Sequence, residues 1–482
     1  VLSWIFHQNF LSPPHIAAGN NLSFWPLGPL FRGAGAFFIR RSFEGNPLYK
    51  LVFRNYLSFL IREGYTQEFF IEGGRTRTGK MLTPKLGMLS AIVNAFSQGG
   101  RDDLYLVPVS IHYGRIVEEE SYKRELAGEE KERESLRSLL RARSILRQRY
   151  GTVYVTFAAP ISLSEALGQR KERFLAHANE PAVDEEQRRF VQKLGFRLIR
   201  EVNAVTVAGA TSVSATALLA APRAAVRARD FLQATGVLTD ILRFQGVHFT
   251  ASLERNVVGE FHESMDWLGS RGLVQRLTEA GAEVLCVPAD KRINIDFYKN
   301  NIIHFFLLPS LVARAFQRGV AEANLQEDAW WWLDLYRREF ALPEPETFTT
   351  ELRRWLDYFQ QRGALVDGRP VVDHPLVETT AGILENFREA YATVARVLCT
   401  EREWPLGEKV LLARVRRAFS VAQLLGEVSK PEANSAVLFT AALGRYRELG
   451  FIAVAGKGRK DRLITRGPAH ELLPALVDRL DP

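Results

Sequence analysis

The residues best equipped for chemistry lie in FIEGGRTRTGK, Phe70 to Lys80, directly behind an apolar run. The run Gln67 to Ile71 reads as a buried strand that ends on Glu72, Gly73 and Gly74 and opens into Arg75, Arg77 and Lys80. Paired glycines let backbone amides approach a ligand, and arginines two positions apart present their guanidinium forks to one side. Fixed positive charge at a strand exit suits a phosphate or a carboxylate. A solvated basic turn would use similar residues, but rarely straight after an apolar strand with two glycines, so anion binding is the favoured reading. Glu72 has two readings: it orients the arginines by pairing with them, which is favoured, or it hydrogen-bonds a substrate hydroxyl.

Two further motifs accompany this loop. GAFFIRRSF, Gly35 to Phe43, is a buried strand whose end carries Arg40 and Arg41; LVPVSIHYGR, Leu106 to Arg115, is an apolar strand interrupted by Pro108. Ligands of parallel α/β sheets collect at the carboxyl ends of strands, so an arginine from the first motif is expected to join Arg75 and Arg77 on one phosphate. Neighbouring strand residues face opposite ways, which selects Arg40 and leaves Arg41 for a structural ion pair. Gly74 to Lys80 also spells G-x-x-x-x-G-K, the start of a nucleotide-binding P-loop. The required Ser or Thr is replaced by Met81, and Pro84 stands where that loop's helix should already be running, so the nucleotide reading fails.

The elements that must hold these motifs fall into two textures. Residues 1–215 alternate apolar runs with helical patterns, as an α/β domain does, with a mixed sheet flanked by helices. Strands are expected at Ile16–Ala18, Ala36–Ile39, Glu68–Ile71, Leu104–His112 and Thr152–Phe157, and helices at Pro47–Arg62, Pro84–Phe96 and Ser135–Gln148. Glu118 to Arg143 is a dense run of mixed charge and reads as a solvated surface. Residues 216–482 read as helix after helix. Three segments, from Leu268, Phe359 and Tyr446, each pattern as a helix followed by a hairpin, the shape of a winged-helix unit. A packing role is favoured for them over DNA binding, since no helix is studded with base-reading side chains.

Composition sets the outer limits. The 482 residues are 46% hydrophobic and 24% charged, as in ordinary globular proteins, and the net charge of +8 favours anionic partners. Two cysteines, Cys286 and Cys399, do not make a disulfide framework. The longest apolar stretch, Ile302 to Ala313, contains His304 and Pro309 and stops at Arg314, too short to span a membrane. Val1 opens in mid-pattern without a Met, and the expectation is a chain lacking its amino-terminal portion.

In order and spacing the three motifs resemble those of the bacterial membrane-associated glycerol-3-phosphate acyltransferases. The similarity extends to HIAAGNNLSFWPLGPLFRGAGAFFIRRSF near the start and to FYKNNIIHFFLLPSL, Phe297 to Leu311, and is loose only over the last hundred or so residues. It implies acyl transfer from acyl-CoA or acyl-carrier protein to the sn-1 hydroxyl of glycerol 3-phosphate, giving lysophosphatidic acid, with no cofactor and no metal. By motif, Arg40, Glu72, Gly73, Gly74, Arg75, Arg77 and Lys80 would bind glycerol 3-phosphate, while Val107, Pro108 and Val109 would shape the acyl side. Thr76 stands where the family usually has Ser. The family's catalytic His-x-x-x-x-Asp block has no counterpart here, because no histidine has an Asp five residues on; the expectation places it before residue 1, and this stretch alone is expected to be inactive.

The resemblance further implies peripheral attachment to an anionic membrane surface, on the cytoplasmic face of the bacterial inner membrane, with no nucleic-acid partner. Trp330-Trp331-Trp332 is either a membrane contact or core packing. His112 is either a packing residue or a substrate contact. Two rival functions remain: acyl transfer to dihydroxyacetone phosphate, and a non-enzymatic nucleic-acid binder relying on Arg459 and Lys460.

Overall fold

The computed structural model describes residues 1–40, 45–74, 76, 78–114, 152–176, 181–222, 225–279, 281–456 and 462–481, with backbone alone for 175, 176 and 181–183. Arg41, Arg75, Arg77, Arg115, the charged run from Glu118, the helix expected at Ser135–Gln148, and Arg459 with Lys460 lie outside the described residues.

After a short helix, Leu2–Gln8, three parallel strands form the first sheet. Strand β1 (His15–Gly19) lies between β2 (Ala36–Ile39) and β3 (Gln67–Glu68), with Ile16 opposite both Ala36 and Glu68. The helix Pro47–Arg62 carries the chain back from β2 to β3. Its start follows from local chemistry: Pro47 needs no amide partner at the first position, and the Asn46 side chain accepts from Tyr49 N at 3.0 Å. Phe53, Leu57 and Ile61 on its inner face pack against the helix Leu86–Ser97, whose Leu89, Ile92, Val93 and Phe96 are buried.

One mixed sheet was the expectation, and the described residues instead form separate pieces. Strands β4 (Tyr105–Leu106) and β5 (Val109–Tyr113) pair antiparallel with β7 (Ile161–Ser162) and β6 (Val153–Phe157) respectively. The single strand expected over Leu104–His112 is broken at Pro108, which has no amide hydrogen to give; its carbonyl still accepts from Ala158 N at 2.9 Å.

Two hydrophobic clusters organise the packing. The first runs from Phe53 to Leu198 and includes the long helix Pro181–Ala204; the second runs from Ala208 to Leu480. The expected boundary at 215/216 therefore falls inside the helix Ala210–Ala220, whose buried Val213, Ala217 and Leu218 belong to the second cluster. Small side chains allow its close packing: a Cβ added to Gly382 would meet Ala220 O at 2.0 Å. Trp332 is buried in the second cluster, and Trp330 and Trp331 pack against it, so the tryptophan group is core packing.

Each of the three repeated segments is a helix followed by an antiparallel hairpin. Val257–Ser270 leads into β9 (Gln275–Glu279) and β10 (Ala282–Cys286), with β8 (Ala225–Arg227) added beside β10. Pro345–Gln361 leads into β11 (Leu365–Val366) and β12 (Arg369–Pro370). Ala436–Glu448 leads into β14 (Ile452–Ala455) and β15 (Leu463–Arg466), with β13 (Leu406–Gly407) paired to β15.

The helical region also buries charge. Arg292, 1% exposed, forms two hydrogen bonds to Glu432, at 2.6 and 2.9 Å. Burial would push the Glu432 carboxyl up, but the guanidinium outweighs it and holds the group below the ordinary carboxylate range. Nearby, burial lowers the Lys430 ammonium to about 8 while its Nζ donates to Leu219 O at 2.6 Å and Ala221 O at 2.7 Å, closing the end of the helix Ala210–Ala220. Glu432→Ala should strand a buried guanidinium and cost about 3–5 kcal/mol in urea unfolding, whereas Arg292→Met with Glu432→Leu should cost far less. Equal losses for the two variants would contradict this.

Candidate functional site

The carboxyl ends of β1, β2 and β3 share one edge because the strands are parallel. Arg40 follows directly on β2 and is exposed. Its guanidinium lies over the Tyr49 ring, 4.8 Å from the centroid, and its backbone amide donates to the Tyr49 hydroxyl at 3.2 Å. Tyr49, on the first turn of the helix Pro47–Arg62, thus anchors this corner and leaves the guanidinium at the surface.

The strand entering the Gly-Arg loop is shorter than its apolar residues suggest. Only Gln67 and Glu68 pair with β1, and Phe70 is 61% exposed. The carbonyls beyond Glu68 find other partners: Phe70 O accepts from Gly73 N at 2.9 Å and Ile71 O from Lys85 N at 2.7 Å. A turn therefore replaces the end of the expected strand. Gly73 sits at φ +66°, where side chains are strained, and a Cβ there would press on Lys85; Gly74 faces open space.

The loop is tied across its base by Glu72, whose Oε2 accepts from Leu82 N at 2.8 Å. Burial pushes the Glu72 carboxyl up to about 6, although the Leu82 amide works in the opposite direction. Further along, Thr76 Oγ1 donates to Lys80 O at 2.6 Å, and Lys80 N donates to Thr78 Oγ1 at 3.3 Å. Arg75 and Arg77, on either side of Thr76, lie outside the described residues.

Lys80 is where the structure departs most from expectation. It was expected on the phosphate, but it is 7% exposed and its ammonium is ion-paired with Glu339. The rings of Phe340 and Phe387 flank the same nitrogen at 4.9 and 4.7 Å from their centroids. A cation so enclosed serves the contact between loop and helical region. Gly79 (φ +80°) lies so close to the helix Arg292–Asn300 that a Cβ would meet Phe297 O at 2.1 Å. Asn300, Phe297 and Glu339 had no role in the sequence reading. Their signal was the resemblance at FYKNNIIHFF and the question of what neutralises Lys80.

Val107 is exposed, Pro108 buried and Val109 half-buried, at the break between β4 and β5. No described hydrogen bond or ion pair joins them to the Gly-Arg loop. His112 is buried at this strand's far end, and burial lowers its ring to about 4. His304 is likewise lowered to about 4 by burial, and its Nε2 contacts Asn203 O at 3.0 Å. Both are neutral packing residues near neutral pH. Among the described residues, histidine ring nitrogens meet backbone groups: His304 at Asn203 O, His374 at Leu376 N and His470 at Phe451 O.

A small parallel sheet with a glycine-containing loop at its carboxyl edge is thus followed by a mainly helical region. The acyltransferase family model matches residues 1–112, and that of the glycerol-3-phosphate acyltransferase C-terminal region matches residues 122–455. The chain belongs to the glycerol-3-phosphate acyltransferase family. It is 33% identical over 475 residues to a glycerol-3-phosphate acyltransferase of Aeromonas hydrophila, covering 94% of this chain and 56% of that protein. Identity to a Shewanella amazonensis protein of the same description is 32% over 501 residues, covering 99% of this chain and 59% of that one. The chain thus spans less than two-thirds of these relatives' length.

Glu72 offers a direct test of the loop's electrostatics. Its folded-state value near 6 lies above the ordinary 4.5, so the folded protein holds this proton more tightly than the unfolded chain. The stabilising contribution is complete below pH 4.5 and is lost as pH rises through about 6. Glu72→Gln, which keeps an acceptor for Leu82 N, should therefore raise Tm at about pH 8 and lose that gain at about pH 4. An equal gain at both pH values would contradict the assignment.

Proposed function

We propose that this chain carries the glycerol 3-phosphate site of a glycerol-3-phosphate 1-O-acyltransferase, which moves a fatty acyl group from acyl-CoA or acyl-carrier protein to the sn-1 hydroxyl. The observation that most supports it is the shared carboxyl edge of the parallel strands, from which both Arg40 and the loop after β3 depart. On this reading Arg40, Arg75 and Arg77 hold the phosphate, the exposed Gly73 and Gly74 admit it close to the backbone, and Glu72 keeps the loop in shape.

The chemistry follows from the substrates. An alcohol is a poor nucleophile at neutral pH, so a histidine must take its proton as the thioester carbonyl is attacked, and a carboxylate fixes that ring and stabilises its charged form. The resemblance implies a His-x-x-x-x-Asp block for this step, and none of the described histidines is assigned to it. The arginines orient the acceptor so that one hydroxyl faces the thioester, which is a contribution of positioning rather than bond-making. Collapse of the tetrahedral intermediate expels the thiol and leaves lysophosphatidic acid. Val107, Pro108 and Val109 are read as flanking the acyl chain.

No described helix is long and apolar enough to cross a membrane. Peripheral attachment at the cytoplasmic face of the inner membrane is our reading, through basic and apolar side chains at an anionic surface. The three helix–hairpin units are read as winged-helix-like packing modules. In the last of them Phe439, Leu443 and Tyr446 are buried, and Arg445 is spent on Asp334.

Arg75→Ala should weaken glycerol 3-phosphate binding by roughly 10- to 100-fold in a calorimetric titration, as expected for loss of a bidentate charge-assisted contact. Arg75→Lys should restore only part of it, since a point charge does not replace the fork. Unchanged affinity in Arg75→Ala would overturn the proposed site.

A further inference from the structure

The described ends of the Gly-Arg loop do not hang from the sheet alone. Residues 78–80 are seated on the helical region at three points. Asn300 Nδ2 donates to Thr78 O at 2.9 Å; Gly79 lies against the Phe297 carbonyl with no room for a side chain; and Lys80 is paired with Glu339 between two phenylalanine rings. Asn300 is itself held, because the same amide nitrogen donates to Asp296 Oδ2 at 2.8 Å, and Asp296 Oδ1 lies 2.8 Å from Lys299 Nζ. With acceptors on both sides of that nitrogen the amide has one orientation: a flipped Asn300 would set its oxygen against two other oxygens. Thr76 Oγ1 then carries the seat back along the loop to a residue flanked by Arg75 and Arg77.

We infer that Asn300 and the Lys80–Glu339 pair are positioning residues for glycerol 3-phosphate, through which the helical region sets the affinity of the Gly-Arg loop. This rests on the proposed reading of that loop as the phosphate site. Neither residue need touch substrate. Their effect arises because a loop displaced by about an ångström aims its charges elsewhere, and misplacement of that size costs orders of magnitude in a positioned reaction. A helical region needed merely for folding would place no such demand on three consecutive loop residues.

The test is calorimetric titration of the 482-residue chain with glycerol 3-phosphate, alongside thermal unfolding. Asn300→Ala and Lys80→Met with Glu339→Leu are the probes; the second removes both charges together, so that neither is left buried alone. Arg318→Met with Asp328→Leu is the control, since it removes a largely buried pair that lies outside the helix Arg292–Asn300 and makes no described contact with the loop. Both probes should raise Kd at least roughly tenfold, with the control within about twofold at a comparable loss of Tm. Wild-type affinity in both probes, with binding lost in Arg75→Ala, would overturn the positioning role and leave the site intact. An equal loss in the control would also overturn it, reducing the effect to general stability. Wild-type affinity in Arg75→Ala would instead show that the loop is not the site.

Discussion

A lysine ammonium taken out of water must find a counter-charge or give up its proton, and Lys80 finds Glu339 across 259 residues of chain. Around this pair the architecture closes. Phe340 and Phe387 exclude water from the ammonium and offer it their ring faces, and the Tyr391 hydroxyl lies 3.4 Å from the other Glu339 oxygen. Because Lys80 is the last residue of the Gly-Arg motif, the ion pair fixes one end of that motif to the helical region. Glu72, bonded to Leu82 N, ties the start of the motif across to the residues just beyond Lys80.

Such a device specifies more than it stabilises. Buried pairs recover little more than the desolvation they incur, and apolar replacements of both partners are often tolerated. What the pair and Asn300 add is a unique seat: directional bonds admit one register of residues 78–80, where an apolar contact would admit several. The helical region repeats the pattern in Arg292–Glu432 and in Asp296 with Lys299 and Asn386. Burial raises the Asp296 carboxyl despite the nearby Lys299 ammonium. The helix Arg292–Asn300 is therefore oriented by charge on one side and presents Asn300 to the loop on the other.

What could be read in the sequence was what local chemistry determines. Helix Pro47–Arg62 and strand Ala36–Ile39 have their expected bounds, because Pro47, Asn46 and the strand's apolar run carry the signals themselves. The three helix-then-hairpin segments were readable for the same reason. The misses all depend on distant partners. The run after Glu68 looks like strand, but its carbonyls are claimed by Gly73 and Lys85. The helix Ala210–Ala220 is poor in large apolar residues and shows its core role only in the packing of Ala220 against Gly382. Lys80 resembled its arginine neighbours until Glu339 was placed beside it. The exposed place of Arg40 directly behind its strand was legible in the motif, whereas the contact of Asn300 was not, since nothing local marks which of two adjacent asparagines will meet Thr78.

The central claim is that the Gly-Arg loop is held as part of the helical region's surface rather than as a free surface loop. Hydrogen exchange of the unliganded chain tests it most directly, followed at the Leu82 and Lys85 amides, which donate to Glu72 and Ile71. The account predicts protection comparable to the amides of the buried helix Leu86–Ser97, and loss of that protection together with the Lys80–Glu339 pair. Exchange of these amides at the rate of unstructured peptide, in a chain whose helices remain protected, would contradict it.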